Sequence, residues 1–161
     1  MIVRDYEEAD APAVRALLEA AFPTSVEADL VERLRTDGDA AIELVATDGE
    51  TIVGHILFSP VEAPFQALAL GPVAVRPDRH GQGVGSALIE AGHDRGLSAG
   101  YDGIFVLGEP DYYRRFGYGT ALAEGFRSPY SGLYFMALAL RGHLPASGGE
   151  VRHSKAFAEL G

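Results

Sequence analysis

The feature that most restricts the fold is a succession of four patterns between residues 65 and 107. An extended apolar run, "FQALALGPVAV", leads through three alternating glycines, Gly81, Gly83 and Gly85, into a helical pattern, and a second apolar run, "GIFVL", follows. The helix runs from about Gly83 to Ala99, with Val84, Ala87, Leu88 and Ala91 on one face and Gly100 to close it. A strand, a crossover helix and a strand in one sheet form a parallel pair with a right-handed connection. Within the first run stands Gly71-Pro72. Proline cannot donate a ladder hydrogen bond, so a bulge or a local opening is expected there.

The rest of the chain supplies antiparallel and helical partners. Residues 2 to 4 suit a short strand, and "DAPAVRALLEAAF" places Val14, Leu17, Leu18 and Ala21 on one helical face behind an Asp10 N-cap. A second helix starts at Thr24, with Glu27 at capping-box spacing, Leu30, Val31 and Leu34 as its stripe and Gly38 at its end. "AIELVATDGETIVGHILFSPV" reads as a hairpin turning at Asp48-Gly49. "EPDYYRRFGYG" gives a short helix with Pro110 in its first turn and Gly117 past its end, and "GLYFMALAL" a late strand. The residues after Gly142 read as a mostly polar tail at the surface. No repeat or linker interrupts the 161 residues, so one domain, 1–161, is expected.

Composition excludes several classes of function. Without cysteine there is no disulfide or thiolate chemistry, and histidines 55, 80, 93, 143 and 153 show no metal-ligand spacing, so no metal is expected. A formal charge of -10 opposes binding to nucleic acid or to anionic membrane. No apolar run is long enough to cross a bilayer, and "MIVRDYEEAD" lacks the regions of a signal peptide, which makes a cytoplasmic location the default expectation.

Glycines at a helix start let phosphate oxygens approach the unpaired N–H groups and the positive end of the helix dipole. An isolated Gly-x-Gly more often just reverses the chain, but this one follows an interrupted strand, opens a helix and is flanked by Arg76, Arg79 and His80. A phosphate ester is the expected ligand. A P-loop would need a lysine before Ser86, and a dinucleotide fingerprint a glycine in place of Ser86.

"VAVRPDRHGQGVGSALIEAG" resembles the acetyl-coenzyme A motif of the GNAT superfamily of N-acetyltransferases, Arg/Gln-x-x-Gly-x-Gly/Ala. Gly83 and Gly85 match its glycines, Gln82 and Val84 its variable positions, and His80 departs from the usual Arg or Gln. "GEPDYYRRFGYGTA", "YFMALAL" and "GGEVRHSKAF" are similar to segments of the YhbS-like subgroup of predicted acetyltransferases, so the likeness extends over most of the chain.

The resemblance implies an α+β, three-layer fold: a mixed, mostly antiparallel sheet with helices on both faces, whose fourth and fifth strands, residues 66 to 76 and 103 to 107, splay apart. It implies acetyl-CoA as cosubstrate, held by Val73, Ala74, Val75, Arg79, His80, Gly81, Gln82, Gly83, Val84, Gly85 and Ser86. Backbone groups of Val73 and Val75 would bond pantetheine and polarise the thioester carbonyl. An acceptor amine would attack directly through a tetrahedral oxyanion and expel the thiolate, with no enzyme nucleophile, in keeping with the absence of cysteine. Tyr113 aligns with the tyrosine that protonates that thiolate; its other reading is packing with Tyr112, Phe116 and Tyr118.

No base is identified by the residues themselves. Glu109, at the end of the fifth strand, reads more readily as a helix-start carboxylate than as the base; Glu62 and His55 are weaker candidates, and His93 reads as solvent-facing. Arg114 and Arg115 read as a basic helix end within reach of a cofactor phosphate. The overall acidic charge favours a cationic acceptor by steering, without locating the field at the acceptor mouth. Two other readings stand beside the transferase: a non-catalytic acyl-CoA sensor and an ATP- or dinucleotide-binding domain. By analogy with the superfamily, the late strand offers an edge for a homodimer.

Overall fold

The computed structural model describes residues 1–160. Its main sheet has six strands in the order β1-β2-β3-β4-β5-β7: β1 (Ile2–Asp5), β2 (Ile42–Asp48), β3 (Thr51–Val61), β4 (Ala67–Val75), β5 (Gly103–Leu107) and β7 (Phe135–Ala139). Every neighbouring pair is antiparallel except β4 with β5. Helix α3 (Val84–Ser98) makes the crossover between those two, as the glycine-to-strand succession requires. A second sheet joins β6 (Phe126–Arg127) to β8 (Gly149–Glu150). Among the described residues no helix is long and apolar enough to cross a membrane.

Period-two alternation in the strands sorts side chains to two faces. Ile56 and Phe58 of β3 meet Leu88 and Ile89 of α3 on one side. On the other, Leu57 and Ala74 meet Val14, Leu17 and Leu18 of α1 (Ala11–Ala21) and Leu30, Val31 and Leu34 of α2 (Val26–Thr36). This is the three-layer arrangement expected. A third apolar group, including Phe105, Phe126, Phe135 and Val151, closes the end of the sheet near β7.

The interruption in β4 is a bulge. Phe58 pairs with Leu70 and Ile56 with Val73, so Gly71 and Pro72 together oppose Leu57. The parallel ladder to β5 stops at the same place, its last pair being Leu70 with Val106. Beyond it β4 continues beside β3 alone, and the two parallel strands part.

Several local expectations are corrected. Asp10 does not cap α1 with its side chain: it is αR, and its carboxylate accepts from Glu7 N at 2.8 Å and from the two terminal guanidinium nitrogens of Arg4. Those stronger charge-assisted bonds displace the cap. The Thr24–Glu27 box is not formed; α2 begins at Val26, whose N–H donates to Thr24 Oγ1 at 3.3 Å. On α3 the buried face is Val84, Leu88, Ile89, Gly92 and Gly96, rotated from the predicted stripe because Gly92 and Gly96, which carry no side chain, are where other parts of the core come close to the helix.

The residues after Gly142 are more than a polar tail. Val151 and Ala156 are buried, Arg152 bridges Glu62 through two backbone bonds of 2.8 and 2.9 Å, and Ser154 Oγ donates to Pro60 O at 2.9 Å. The segment is laced across the end of β3.

Candidate active site

Strand pairing determines where the freed backbone of β4 points. Arg76 N donates to Val53 O at 2.8 Å, so that pair is hydrogen-bonded and, by antiparallel alternation, Ala74 with His55 is bonded while Val75 with Gly54 and Val73 with Ile56 are not. The N–H and C=O groups of Val73 and Val75 therefore face away from β3, into the opening left by β5. This is the backbone set that the sequence singled out.

The opening continues into a groove of about 440 Å³. One wall is Val73 and Val75; the floor is the loop Arg79, His80, Gly81 and Gly83 with Val84, Gly85 and Ser86 of the first turn of α3. Gly81 and Gly83 have φ of 77° and 82°, a left-handed backbone that glycine adopts without penalty. The first α-helical bond of α3 is Ala87 N to Gly83 O, so the amides before Ala87 remain available to an anion. Of the predicted cofactor residues, two lie off this wall: Ala74 packs its methyl toward α1 and α2, and exposed Gln82 is outside the lining.

The cations around the loop are not equivalent. Arg79 is held by Asp48 at 2.6 Å, an anchor from the hairpin tip that offsets much of its charge, and Arg76 is held by Asp78 at 2.8 Å. His80 Nε2 lies 3.2 Å from Val75 O, placing its imidazole on one of the two freed carbonyls. With its proton on Nε2, the ring donates to that carbonyl. Arg115 lines the groove too, its guanidinium stacked over Tyr112 and Phe116 at 5.3 and 5.5 Å, with no carboxylate partner among the described residues. Arg114 is paired with Asp111. Arg115 is thus the uncommitted cation, which residue type alone did not distinguish from its neighbours.

Helix α4 (Pro110–Arg114) carries two tyrosines, of which Tyr112 lines the groove and Tyr113 does not. Tyr112 forms part of the groove, and its hydroxyl occupies the space at 2.9 Å from where a Cβ on Gly85 would stand. Tyr113 packs against Gly108 at the end of β5 and edge-on to Tyr112 and Tyr118, with centroids at 5.1 and 5.8 Å. Burial pushes its pKa up to about 12, so the phenol stays protonated at neutral pH. Tyr118 is fully buried with its hydroxyl 2.9 Å from His93 Nε2. His93 is therefore not solvent-facing: burial lowers its pKa to about 4, and the neutral ring accepts the Tyr118 proton in a hydrogen bond.

A separate chamber lies on the α1–α2 side of the bulge. Its inner part, about 210 Å³, is lined by Leu70, Gly71 and Pro72 of β4, Phe105 and Leu107 of β5, Leu30 of α2, and Tyr130, His153 and Phe157. The same Tyr130, His153 and Phe157 border an outer chamber of about 880 Å³. The bulge at Gly71-Pro72 thus stands between the chamber on one face and the groove, which begins at Val73, on the other. None of the predicted base candidates lines this chamber. Glu109 is exposed at the start of α4, Glu62 is exposed, and His55 is fully buried with Nε2 2.7 Å from Glu43, whose carboxylate also holds Arg35. His153 and Tyr130 were missed because they sit in irregular segments with no periodicity to mark a buried face.

Comparison with known proteins agrees with this geometry. Residues 2–121 match the family described as Acetyltransferase (GNAT) domain. The chain is 37% identical over 136 residues to the N-acetyltransferase YhbS of Escherichia coli K12, covering 82% of this chain and 81% of that protein. A crystal structure of Escherichia coli YhbS in complex with CoA superposes with a TM-score of 0.92 at 34% identity, covering 99% of this chain and 93% of that one. A GNAT family acetyltransferase from Brucella melitensis in complex with acetyl-CoA gives 0.81 at 34% identity, with 97% of each chain covered.

Proposed function

The chain belongs to the GNAT acetyltransferase family, and on that premise we propose that it transfers an acetyl group from acetyl-CoA to a primary amine of a small molecule or protein. The observation that carries this reading is the groove itself: free amides at the start of α3, left-handed glycines that admit phosphate oxygens, and backbone groups of Val73 and Val75 turned into the strand opening. These residues fit the cosubstrate. The amides of Val84, Gly85 and Ser86 hold its pyrophosphate, Arg115 adds the unpaired positive charge, and the Val73 and Val75 peptides align the pantetheine chain. Acetyl-CoA supplies the acetyl group already activated as a thioester.

The protein's own part is to bind, orient and move protons. The N–H of Val73 or Val75 is available to negative charge developing on the acetyl oxygen. Tyr113, kept protonated by burial, donates its hydroxyl proton to the departing thiolate. Because the chain has no cysteine, released coenzyme A is counted by a thiol reagent without background. In that assay Tyr113→Phe should lower kcat by about 100-fold, a general-acid effect, while leaving coenzyme A affinity unaltered, and Tyr112→Phe should act mainly on KM for acetyl-CoA. An unaltered kcat in Tyr113→Phe would remove the acid role.

His80 on the Val75 carbonyl is the observation that favours a binding-only, sensor role, since it occupies a group the cosubstrate would otherwise use. Turnover with any amine decides against that second reading.

A further inference from the structure

The inner chamber on the α1–α2 side lies in line with the cosubstrate, and we infer that it receives the tail of the acyl group, so that straight-chain apolar thioesters of about four to eight acyl carbons serve as donors beside acetyl-CoA. The inference rests on the transferase reading above and names the donor class for the same site.

Direction along one strand carries the assignment. A cosubstrate with its diphosphate at the first turn of α3 and its pantetheine beside Val75 and then Val73 reads β4 backwards, from the glycine loop toward the bulge. The next residues in that direction are Pro72, Gly71, Leu70 and Ala69, and all four border the inner chamber. The parallel ladder does not close the way: its last pair is Leu70 with Val106, and the following residue of β5, Leu107, is half exposed and lines the chamber. A Cβ on Gly71 would meet nothing within 4 Å, so there is open space beside the bulge. From a thioester carbonyl held at Val73, the acyl carbons continue past Gly71-Pro72 into the chamber.

Alternation along β4 provides the room. Leu68 joins Leu88 of α3 on one face, while Ala69 falls on the other beside its ladder partner Phe105, so small residues stand where leucines would fill the space. No side chain lining the inner part is charged at neutral pH. His153, whose pKa burial lowers to about 4, is a neutral ring there, and its Nδ1 has no open surface. A hydrocarbon suits such a space, whereas a carboxylate would lose its hydration without gaining a partner. The roof is fixed. His153 stands edge-on to Tyr130 at 4.9 Å, and its segment is tied to β3 and beyond by the Arg152–Glu62 backbone bonds and the Ser154–Pro60 bond. The volume of about 210 Å³ is that of roughly seven water molecules, and a methylene is of similar size, so about six carbons beyond the carbonyl fill it. The outer chamber, bordered by Glu150, Arg152 and Lys155, is left to the acceptor. Transfer proceeds as for acetyl: the amine nitrogen bonds to the acyl carbon, the carbon–sulfur bond breaks with its electron pair on sulfur, the amine gives a proton to solvent and the thiolate takes one up.

The test is calorimetric titration of the stripped protein with coenzyme A and with its acetyl, butyryl, hexanoyl, octanoyl and decanoyl thioesters, each affinity read relative to coenzyme A in the same protein. Affinity should rise about threefold per methylene from acetyl to hexanoyl and stop rising by decanoyl, when the chamber is full. Succinyl-CoA, which matches butyryl-CoA in length but ends in a carboxylate, should bind about tenfold or more weakly than butyryl-CoA. Ala69→Leu, which shortens the chamber, should move the limit to shorter chains, and Phe157→Ala, which opens its roof, to longer ones; should the first variant not fold, the second decides alone. With an amine that turns over, kcat/KM for hexanoyl-CoA should equal or exceed that for acetyl-CoA. Affinity that is flat beyond acetyl-CoA, a rise that continues through decanoyl-CoA and is the same in the variants, or hexanoyl-CoA that binds without turnover where acetyl-CoA turns over would each overturn the donor assignment alone. Failure of coenzyme A itself to bind the folded wild-type protein would instead defeat the transferase reading.

Discussion

Two glycines on the buried face of α3 should respond to alanine with opposite signs. At Gly92 a Cβ would fall well inside 3.0 Å of two ring carbons of Phe58, Cε1 and Cζ, and Phe58 is fully buried under the helix. Helix or ring has to move. Overpacking of this kind costs about 1–3 kcal/mol, against a helix-propensity gain of up to about 1 kcal/mol for replacing glycine by alanine. Because Phe58 is fully enclosed, the cost lies in the upper part of that range, about 2–3 kcal/mol, and the expected net loss is about 1–2 kcal/mol, or a fall in Tm of about 2–8 °C for a chain of this size. At Gly96 the nearest atom to a Cβ is Leu140 Cδ1 at 3.4 Å, ordinary contact, so the propensity gain stands and Gly96→Ala should raise Tm by about 1–4 °C. Scanning calorimetry, supported by urea midpoints at unaltered m, measures both. A Gly92→Ala protein as stable as the wild type would refute the close seat of α3 on β3, and with it the placement of the glycine loop that this helix carries.

Acid should weaken the fold in a definite window. His93 and His153 have folded pKa values of about 4 against an ordinary 6.5, so the unfolded chain takes up these protons first. Their contribution is whole above about pH 7 and declines as pH falls from 6.5 toward 4. With allowance for solvent screening it amounts to about 1 kcal/mol each at pH 5. Urea midpoints at pH 7.5 and 5 should show the decline, and His93→Gln should lessen it; an equal decline in that variant would contradict the assignment. In the groove, Arg115→Gln should weaken coenzyme A binding by about fivefold or more and flatten its salt dependence, whereas Arg79→Gln should do less because Asp48 already holds that guanidinium. Calorimetry at two salt concentrations would show the reverse order if the reading of the two arginines is wrong.

The legible parts of the fold were those governed by local chemistry. Gly71-Pro72 announced the bulge because proline lacks an N–H, and the glycine loop announced the start of α3 because its residues need positive φ. The hairpin was read correctly, although its two-residue loop is Gly49-Glu50, between the paired Asp48 and Thr51. What escaped depended on contacts between distant segments. Asp10 looked like a cap until Arg4 was brought beside it, His93 looked exposed until Tyr118 folded over it, and the "RHS" at Arg152–Ser154 looked like tail until the Arg152–Glu62 backbone bonds and the Ser154 hydroxyl bond to Pro60 O laid it across β3. The cofactor loop was continuous in sequence and so was readable. The chamber draws on α2, β4, β5 and two irregular segments, which no single stretch could reveal.

The central claim is that the glycine loop holds a coenzyme A ester, and calorimetric titration of the stripped protein with acetyl-CoA, coenzyme A and ATP tests it most directly. The account predicts saturable binding of both coenzyme A forms and none of ATP. A folded protein that binds neither coenzyme A form, or that takes ATP as readily, would contradict it.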